Sequence, residues 1–327
     1  MPGSRREQWV SPVTEAGAGR PAAILIAGPT ASGKSALALA LARRFQGTVI
    51  NMDSMQVYAD LRRLSARPSP EDEAQAPHRL YGTIDGAVNF SVGNVSRETS
   101  EILEEVWRNG SLPIFVGGTG LYFRALDEGL SDMPTVPDAV REAVRARAEG
   151  RETGALHAEL ARLDPAGAET LRPSDRMRVM RALEVFEATG RPIGAFQGRR
   201  LPGPLAGRSL LKLFLDVDRD ELRRRIDARF LTMMQEGALD EVAALRDRRL
   251  DPMLPVMRAH GVPGLIAHLD GEISRDEAIA RGQGDTRRYA KRQFTWFRHQ
   301  MGEDWIWADP ETVRRIAEER LSAPGGR

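Results

Sequence analysis

Residues 22–35, AAILIAGPTASGKS, decide the fold of this protein. The apolar run at 22–27 is bounded by Gly28 and Pro29 and predicts a buried parallel strand. Leu and Ala then recur at helical spacing over 33–45, so a strand, a Gly-rich turn and a helix follow one another directly. The turn matches the P-loop pattern G-x-x-x-x-G-K-[ST]. This stretch therefore predicts a strand–loop–helix unit that binds phosphate groups.

The residue types of the P-loop each have a physical reason. Glycines let backbone N–H groups wrap an anion, and the helix that follows adds its positive N-terminus. Lys34 reaches between phosphate groups, and the Ser35 hydroxyl is placed to ligate Mg²⁺. An ordinary Gly-rich turn does not explain Lys34, because the chain contains only three lysines. The predicted phosphate-binding residues are Gly28, Pro29, Thr30, Ala31, Ser32, Gly33, Lys34 and Ser35.

A P-loop specifies a ligand that carries a diphosphate, and it does not specify a reaction. The motif is typical of nucleotide-binding and ATP-binding proteins, so a kinase, an NTPase and an alkyl-diphosphate transferase all remain open here. A GTPase would need an N-K-x-D base reader, and the sequence contains none. No other nucleotide base reader supports the kinase or NTPase alternative.

Further strands and helices alternate along the first third of the chain. Strands are expected at 48–53 and 113–116, with a helix at 92–109 between them. Such alternation predicts an α/β fold with a parallel sheet flanked by helices, a P-loop NTPase-like core. Residues 137–190 instead show helical periodicity and no clear strand, and strand character returns at 210–217. We therefore predict a helical insertion domain within the core.

This pattern predicts that the chain divides into four parts. The predicted organisation is a flexible N-terminal tail at 1–21, a P-loop α/β core at 22–125 and 206–310, a helical insertion at 126–205, and a C-terminal tail at 311–327.

Composition excludes several classes of protein. The chain has 327 residues and no cysteine, which excludes disulfides, thiolate nucleophiles, iron–sulfur clusters and cysteine zinc sites. No apolar run approaches the roughly 20 residues of a membrane span, and the first 20 residues lack the apolar region of a signal peptide. We therefore expect a cytoplasmic protein with no membrane partner, and a monomer.

A net charge of +1 conceals two basic segments. Residues 172–212 carry nine basic and three acidic side chains, a balance of +6. Residues 286–299 carry five basic side chains and no acidic one, interleaved with Tyr289, Phe294, Trp296 and Phe297. Cations that neutralise phosphates and aromatics that stack on exposed bases suit recognition of an RNA loop. An amphipathic helix with a solvated basic face would give the same pattern in the second segment.

Two polar residues follow strands that should end beside the P-loop. Asp53 comes directly after the second strand, where it could be a metal-associated carboxylate, a general base or a helix N-cap. The third strand ends in GGTGLY at 117–122. Its Thr119 hydroxyl can orient a polar group near Asp53.

Seven motifs in register resemble the tRNA dimethylallyltransferases, also called tRNA isopentenyltransferases, over roughly residues 22–300. They are the P-loop, DSMQVY at 53–58, PHRL at 77–80, VGGTGLY at 116–122, LDP at 163–165, DRMR at 175–178 with RALEV at 181–185 and TGRP at 189–192, and TRRYAKRQFTWFR at 286–298.

The resemblance implies transfer of a dimethylallyl group from dimethylallyl diphosphate to N6 of adenosine 37, in tRNAs that read codons beginning with U. The P-loop would hold the diphosphate of the donor, with Lys34 and with Mg²⁺ on Ser35 stabilising the leaving charge. Asp53 would accept the N6 proton, and Thr119 would orient the amine. Arg229 matches a position at which a cation suits the diphosphate. The implied catalytic residues are thus Asp53, Thr119 and Lys34.

The same resemblance implies contacts with the tRNA anticodon stem-loop. The target adenine would have to leave the loop stack to reach the site. The implied contacts are Asp53, Ser54, Met55, Gln56, Thr119, Arg141, Met177, Arg178, Arg181, Arg258, Lys291, Arg292, Gln293, Trp296 and Arg298.

The sequence also departs from the family pattern. The family's usual Gly-Thr-Ala-Lys-Pro is LSARP at 64–68, its His-His-Leu is HRL at 78–80, and its Gly-Tyr is GV at 261–262. These differences affect the loops concerned. An isopentenyltransferase that acts on free adenylate is a related alternative, although the basic segments favour tRNA. A non-enzymatic RNA-binding module is another, but it leaves Lys34, Ser35 and Asp53 unexplained.

Overall fold

The computed structural model describes residues 20–323. Its strands, in chain order, are β1 (Ala23–Ala27), β2 (Gly47–Met52), β3 (His78–Arg79), β4 (Leu112–Gly117), β5 (Leu130–Ser131), β6 (Arg200–Leu201), β7 (Leu210–Leu215) and β8 (Ile306–Ala308). The helices are α1 (Lys34–Phe45), α2 (Pro70–Glu73), α3 (Val92–Arg108), α4 (Gly120–Asp127), α5 (Asp138–Ala148), α6 (Thr153–Leu163), α7 (Pro165–Thr170), α8 (Arg176–Thr189), α9 (Arg219–Gln235), α10 (Ala238–Asp247), α11 (Val262–Leu269), α12 (Arg275–Gln300) and α13 (Pro310–Ser322). Short 3₁₀ turns lie at Ile193–Phe196 and Val256–Arg258.

Six strands form one sheet in the order β3-β2-β4-β1-β7-β8, and every neighbouring pair is parallel. The side chains of β1 alternate between two apolar clusters, as the period of two in a strand requires. Ile24 packs in the cluster that contains Leu41 of α1, and Leu25 packs in the cluster that contains Phe297 of α12. Because both faces are covered by helices, the strands read as continuous apolar runs. The predicted α/β fold with a parallel sheet is confirmed.

The described chain divides into two units. One comprises residues 20–126 and 204–323, and the other comprises residues 127–203. The second unit has its own apolar core around Leu156, Leu160, Val179 and Leu183. Its strands β5 and β6 form an antiparallel pair. Residues 127–203 thus form a separately packed helical unit.

The structure corrects the prediction of a C-terminal tail at 311–327. Residues 310–322 form helix α13, whose first N–H groups are capped by the Asp309 side chain. Val313, Ala317 and Leu321 are buried in the same cluster as Leu41 of α1. These residues recur at helical spacing after an Asp-Pro start, so the sequence carries the signal for this helix. The N-terminal tail predicted at 1–21 falls almost wholly outside the described residues.

Short strands are the other difference between the predicted and the observed elements. Strands β3, β5, β6 and β8 contain two or three residues each. A run this short shows no alternation, so periodicity cannot reveal it. Among the helices in residues 20–323, none is both long and apolar enough to cross a membrane.

Candidate functional site

Three strands of the sheet end at the same level. Ala27 of β1 and Met52 of β2 are both in register with Gly117 of β4. Parallel strands point their carboxyl ends to the same edge, so the segments that follow these three residues meet there. Those segments are the P-loop, the turn that contains Asp53 and the turn that contains Thr119. The parallel sheet therefore brings these three motifs to one edge.

The P-loop has the backbone shape of an anion cradle. Ala31 has a φ of 65° and Gly33 a φ of 92°, both in the left-handed region. The Ser32 N–H donates to Pro29 O (3.2 Å), which closes the turn before α1. Gly33 is the N-cap of α1 and provides no side-chain cap, so the first N–H groups of the helix face the loop without a competing side-chain acceptor. Such an N-terminus attracts an anion.

Two cations flank the loop. The Lys34 ammonium donates to Pro29 O (3.2 Å), and the Arg229 guanidinium of α9 donates to the Thr30 hydroxyl. Burial lowers the pKa of Lys34 to about 8, the Asp53 carboxylate opposes this shift and the Arg229 charge adds to it. Burial also lowers the pKa of Arg229, again opposed by Asp53. The structure thus brings Arg229 to the P-loop, and the crowded cations favour a bound anion.

Asp53 is held by a local network and does not begin a helix. Its N–H donates to Asn51 Oδ1 (2.8 Å), and its Oδ1 accepts the Met55 N–H (2.9 Å). The segment after it is a series of turns, which rules out the helix N-cap interpretation. None of the described residues donates to Asp53 Oδ2. One carboxylate oxygen therefore fixes the side chain and the other is available to a ligand.

Thr119 connects the ends of β2 and β4. Its Oγ1 accepts the Ser54 N–H (3.0 Å) and donates to Ser54 Oγ (3.3 Å), while its own N–H donates to Met52 O (3.1 Å). The Gln56 amide holds the divergent 64–68 loop by donating to Ser65 O and Ala66 O. Thr119 lies one residue from Asp53 in this network, and its hydroxyl is bonded to both the backbone N–H and the side chain of Ser54.

A cavity lies beside these polar groups. Its lining includes the polar side chains of Thr30, Asp53 and Arg229. The other lining residues are Met55, Leu64, Ser65, Ile226, Phe230, Met233, Ala259, His260, Thr286 and Tyr289. Most of these side chains are apolar or aromatic. The lining therefore combines polar groups that suit an anionic head group with apolar side chains that suit a short hydrocarbon.

Tyr289 and His260 line this cavity, although neither is among the predicted catalytic or diphosphate-binding residues. Their rings are in contact, with centroids 4.6 Å apart. Burial raises the pKa of Tyr289, and the Asp53 charge raises it further. Hydrogen bonds with Thr119 and Gln293 act in the opposite direction. Burial lowers the pKa of His260, and the Arg292 charge adds to this, so the imidazole is neutral at pH 7. The basic–aromatic segment signals Tyr289, but no sequence pattern signals His260.

Helix α12 has an outward basic face and an inward face. Lys291, Arg292 and Arg298 are exposed, and no carboxylate within residues 20–323 forms an ion pair with any of them. Gln293 is only 4% exposed and Trp296 is half-buried. The nearest atoms to a Cβ built on Gly120 belong to the Trp296 ring, at 1.9 Å. The inward position of Gln293 argues against the expected contact with tRNA.

The remaining expected tRNA contacts are distributed over both units. In the first unit, Arg258 is exposed on a 3₁₀ turn. In the insertion, Met177 is 53% exposed at the start of α8, and the Arg178 side chain is 75% exposed. Arg181 pairs with Glu184 (3.8 Å), and Arg141 pairs with Asp138 (2.7 Å). Met177 and Arg178 are thus the most accessible of the four in the insertion.

The residues present fit a magnesium ion that is held through a phosphorylated substrate. Ser35 is exposed in the first turn of α1, next to the phosphate cradle. Residues 20–323 contain no group of three or more acidic or histidine side chains that could enclose a metal. Mg²⁺ commonly takes only one or two protein ligands and completes its shell with water and substrate phosphates. Ser35 with a diphosphate meets that requirement.

Comparisons with known proteins agree with this geometry. A model of the IPP transferase family matches residues 56–300. The chain belongs to this family. A tRNA dimethylallyltransferase of Methylorubrum extorquens (strain PA1) is 72% identical to it over 309 residues, which are 94% of this chain and 97% of the relative. The tRNA dimethylallyltransferase of Bradyrhizobium sp. (strain BTAi1) is 60% identical over 292 residues, 89% of this chain and 95% of the relative.

Solved structures of IPP transferases give the same result. The full-length tRNA isopentenylpyrophosphate transferase of Bacillus halodurans has a TM-score of 0.63 at 32% identity, covering 91% of this chain and 96% of that one. A eukaryotic dimethylallyltransferase acting on tRNA has a TM-score of 0.72 at 26% identity, covering 91% of this chain and 76% of that one. The family resemblance seen in the sequence is confirmed.

The lowered pKa of Lys34 predicts a pH-dependent affinity for inorganic pyrophosphate. Above pH 8 the free protein loses the Lys34 proton and must regain it to bind the anion, so affinity falls by up to about tenfold per pH unit. In Lys34→Arg the guanidinium stays charged over this range. Calorimetric titration of both proteins from pH 7 to 9.5 should show the wild type weakening more steeply. If the affinity of the two proteins fell equally with rising pH, the change would reflect only the titration of pyrophosphate itself. That result would contradict this assignment.

Proposed function

We propose that this protein transfers the dimethylallyl group of dimethylallyl diphosphate to N6 of adenosine 37 in tRNAs that read codons beginning with U. Its membership of the IPP transferase family supports this, as do the relatives named tRNA dimethylallyltransferase. A structural neighbour described as acting on tRNA supports the same substrate. Such an activity belongs in the cytoplasm, with the protein acting as a monomer.

The observation that carries the proposal is the composition of the cavity beside the P-loop. Its lining combines Arg229 and Thr30 of the phosphate cradle with the apolar side chains of Phe230, Met233 and Leu64. A nucleoside triphosphate would require polar groups that read a base and a ribose at this position. A prenyl diphosphate requires cations followed by an apolar wall. The lining therefore favours a prenyl donor over ATP.

The reaction is a substitution at the allylic carbon of the donor. The C1–O bond breaks with its electron pair going to the diphosphate, whose charge is stabilised by Lys34, Arg229 and the P-loop N–H groups. The adenine N6 lone pair forms the new bond to C1. Rings of Phe230 and Tyr289 line the cavity, and aromatic faces stabilise an allylic centre that gains positive charge.

Proton removal completes the transfer. An exocyclic adenine amine is a weak nucleophile, and it must lose a proton as the new bond forms. Asp53 Oδ1 is held by the Met55 N–H, which orients the carboxylate so that Oδ2 can accept this proton. The Thr119 hydroxyl, beside Asp53 in the network with Ser54, is placed to orient the amine. Mg²⁺ bound by Ser35 and the diphosphate would supply further stabilisation of the leaving charge.

Each unit offers its own candidate RNA contacts, on the outward face of α12 in the first unit and at exposed residues of the insertion in the second. Lys291, Arg292 and Arg298 are exposed and form no close ion pair among the described residues, so their charges can face RNA phosphates. Burial raises the pKa of Asp216, and the Arg298 charge acts in the opposite direction on that carboxyl. Met177 and Arg178 provide an exposed apolar and cationic pair in the insertion. Contacts of this type position an anticodon stem-loop, from which the target base is then extruded.

Asp53→Asn should separate chemistry from RNA binding. The amide keeps an acceptor for the Met55 N–H but cannot take the N6 proton, so kcat should fall by about 100-fold or more. Affinity for the tRNA should change by less than about twofold, because a carboxylate neutralises no RNA phosphate. Transfer is measured by mass spectrometry of digested tRNA, and binding by filter retention. Asp276→Asn, an exposed position on α12, is the control. Equal loss of transfer and binding in Asp53→Asn would reassign this residue to RNA binding.

Neutralising the basic face of α12 should reduce the salt dependence of tRNA binding. The triple change of Lys291, Arg292 and Arg298 to Gln removes three phosphate contacts, so the slope of log K against log salt should decrease in magnitude by about two.

Arg314, Arg315 and Arg320 of α13 provide the matched control, because their change to Gln removes the same charge from a helix outside the proposed RNA surface. Their slope should equal that of the wild type. A triple variant of α12 with an unchanged slope would mean that its basic face is solvated and does not bind RNA.

A further inference from the structure

Gln293 links two loops of the site through its side-chain amide. Oε1 accepts the N–H of Thr30 in the P-loop (2.9 Å), and Nε2 donates to Gly118 O at the end of β4 (2.9 Å). The side chain is 4% exposed. Both ends of the amide are therefore satisfied inside the protein, which is the arrangement that a buried polar group requires.

The surroundings of Gln293 are built to admit it. A Cβ built on Gly118 would lie 1.9 Å from Gln293 Nε2, so a larger residue at 118 would displace the amide. Lys291 and Arg292, immediately before it on α12, are exposed. Successive residues of a helix point about 100° apart, so these neighbours face solvent while Gln293 faces the core. The basic face and the amide belong to the same helix but reach different surroundings.

Thr30 is the point at which this link meets the diphosphate cradle. Its N–H is bonded to Gln293, and its hydroxyl accepts a hydrogen bond from Arg229. The Thr30 N–H is thus committed to Gln293, while its hydroxyl accepts from Arg229 and keeps its own proton to donate. Thr30 therefore connects Gln293 to the Arg229 guanidinium within the diphosphate cradle.

We propose that Gln293 is a positioning residue for the diphosphate of the prenyl donor, acting through Thr30 and Arg229, and that it does not contact tRNA. This inference rests on the proposed function, because it takes the P-loop as the donor site. It assigns Gln293 to donor binding although its neighbours on α12 are assigned to RNA. Loss of the amide therefore affects one substrate and spares the other.

The test compares Gln293→Met with Lys291→Met, the same introduced side chain two residues away on the outward face. Gln293→Met removes the hydrogen bonds with Thr30, Gly118 and Tyr289 and should weaken binding of inorganic pyrophosphate with Mg²⁺ by about tenfold. The KM for dimethylallyl diphosphate should rise similarly, while the Kd for tRNA stays within about twofold. Lys291→Met should show the reverse, with weaker tRNA binding and unchanged pyrophosphate binding.

A double-mutant cycle tests the route through Arg229. If Gln293 acts through Thr30 on Arg229, then Gln293→Met should cost much less pyrophosphate affinity in an Arg229→Met background. Additive losses would overturn this route, because they would mean that the two residues act independently. A merely structural role of Gln293 predicts a lower melting temperature with no change in the ratio of the two substrate affinities.

Gln293→Glu keeps the inference testable if Gln293→Met fails to fold. The carboxylate still accepts the Thr30 N–H but cannot donate to Gly118 O, and it adds negative charge beside the cradle. Pyrophosphate affinity should fall by more than about tenfold. Wild-type affinity in Gln293→Glu, or loss of tRNA binding alone in either variant, would overturn the inference. A wild type that does not bind pyrophosphate, or a Lys34→Met variant that binds it fully, would overturn the proposed donor site itself.

Discussion

Ala27 and Met52 both stand opposite Gly117 in the parallel sheet, and the rest of the site depends on this alignment. A Cβ at Gly117 would lie 2.0 Å from the Met52 carbonyl oxygen, so only glycine allows β2 and β4 to end this close together. The turns that follow the three strands are therefore held next to one another. Backbone pairing alone therefore places the phosphate cradle, the Asp53 carboxylate and the Thr119 hydroxyl side by side.

Helix α12 uses that crowded edge from the other side. Gly118 and Gly120 leave space for Gln293 and Trp296, so the helix packs directly against the turn that carries Thr119. Its opposite face remains basic and exposed. One helix can therefore stabilise the donor site with its inward residues and present cations to RNA with its outward residues. Because the two faces of the helix differ in this way, a segment with no acidic residue over 286–299 is also part of the core.

The sequence predicts those parts of the site that depend on local patterns. The P-loop, Asp53 and Thr119 each follow a strand directly, so the α/β rule for strand ends places them together. Contacts between distant segments were not accessible in this way. Arg229 and Gln293 reach Thr30 across 199 and 263 residues. The family resemblance implies that Arg229 serves the diphosphate, but only the folded chain shows that Gln293 meets it at Thr30. The basic–aromatic pattern over 286–299 identifies a helix with two functions but cannot say which side chains point inward.

The central claim is that this P-loop holds a prenyl diphosphate and delivers its hydrocarbon to tRNA. The most direct measurement incubates the purified protein with Mg²⁺, dimethylallyl diphosphate, ATP and a tRNA that carries A36-A37-A38, followed by digestion and mass spectrometry. The account predicts dimethylallyl-modified adenosine at position 37, with ATP left intact. Hydrolysis of ATP without prenylated adenosine, or prenylation of free adenylate in preference to tRNA, would contradict it.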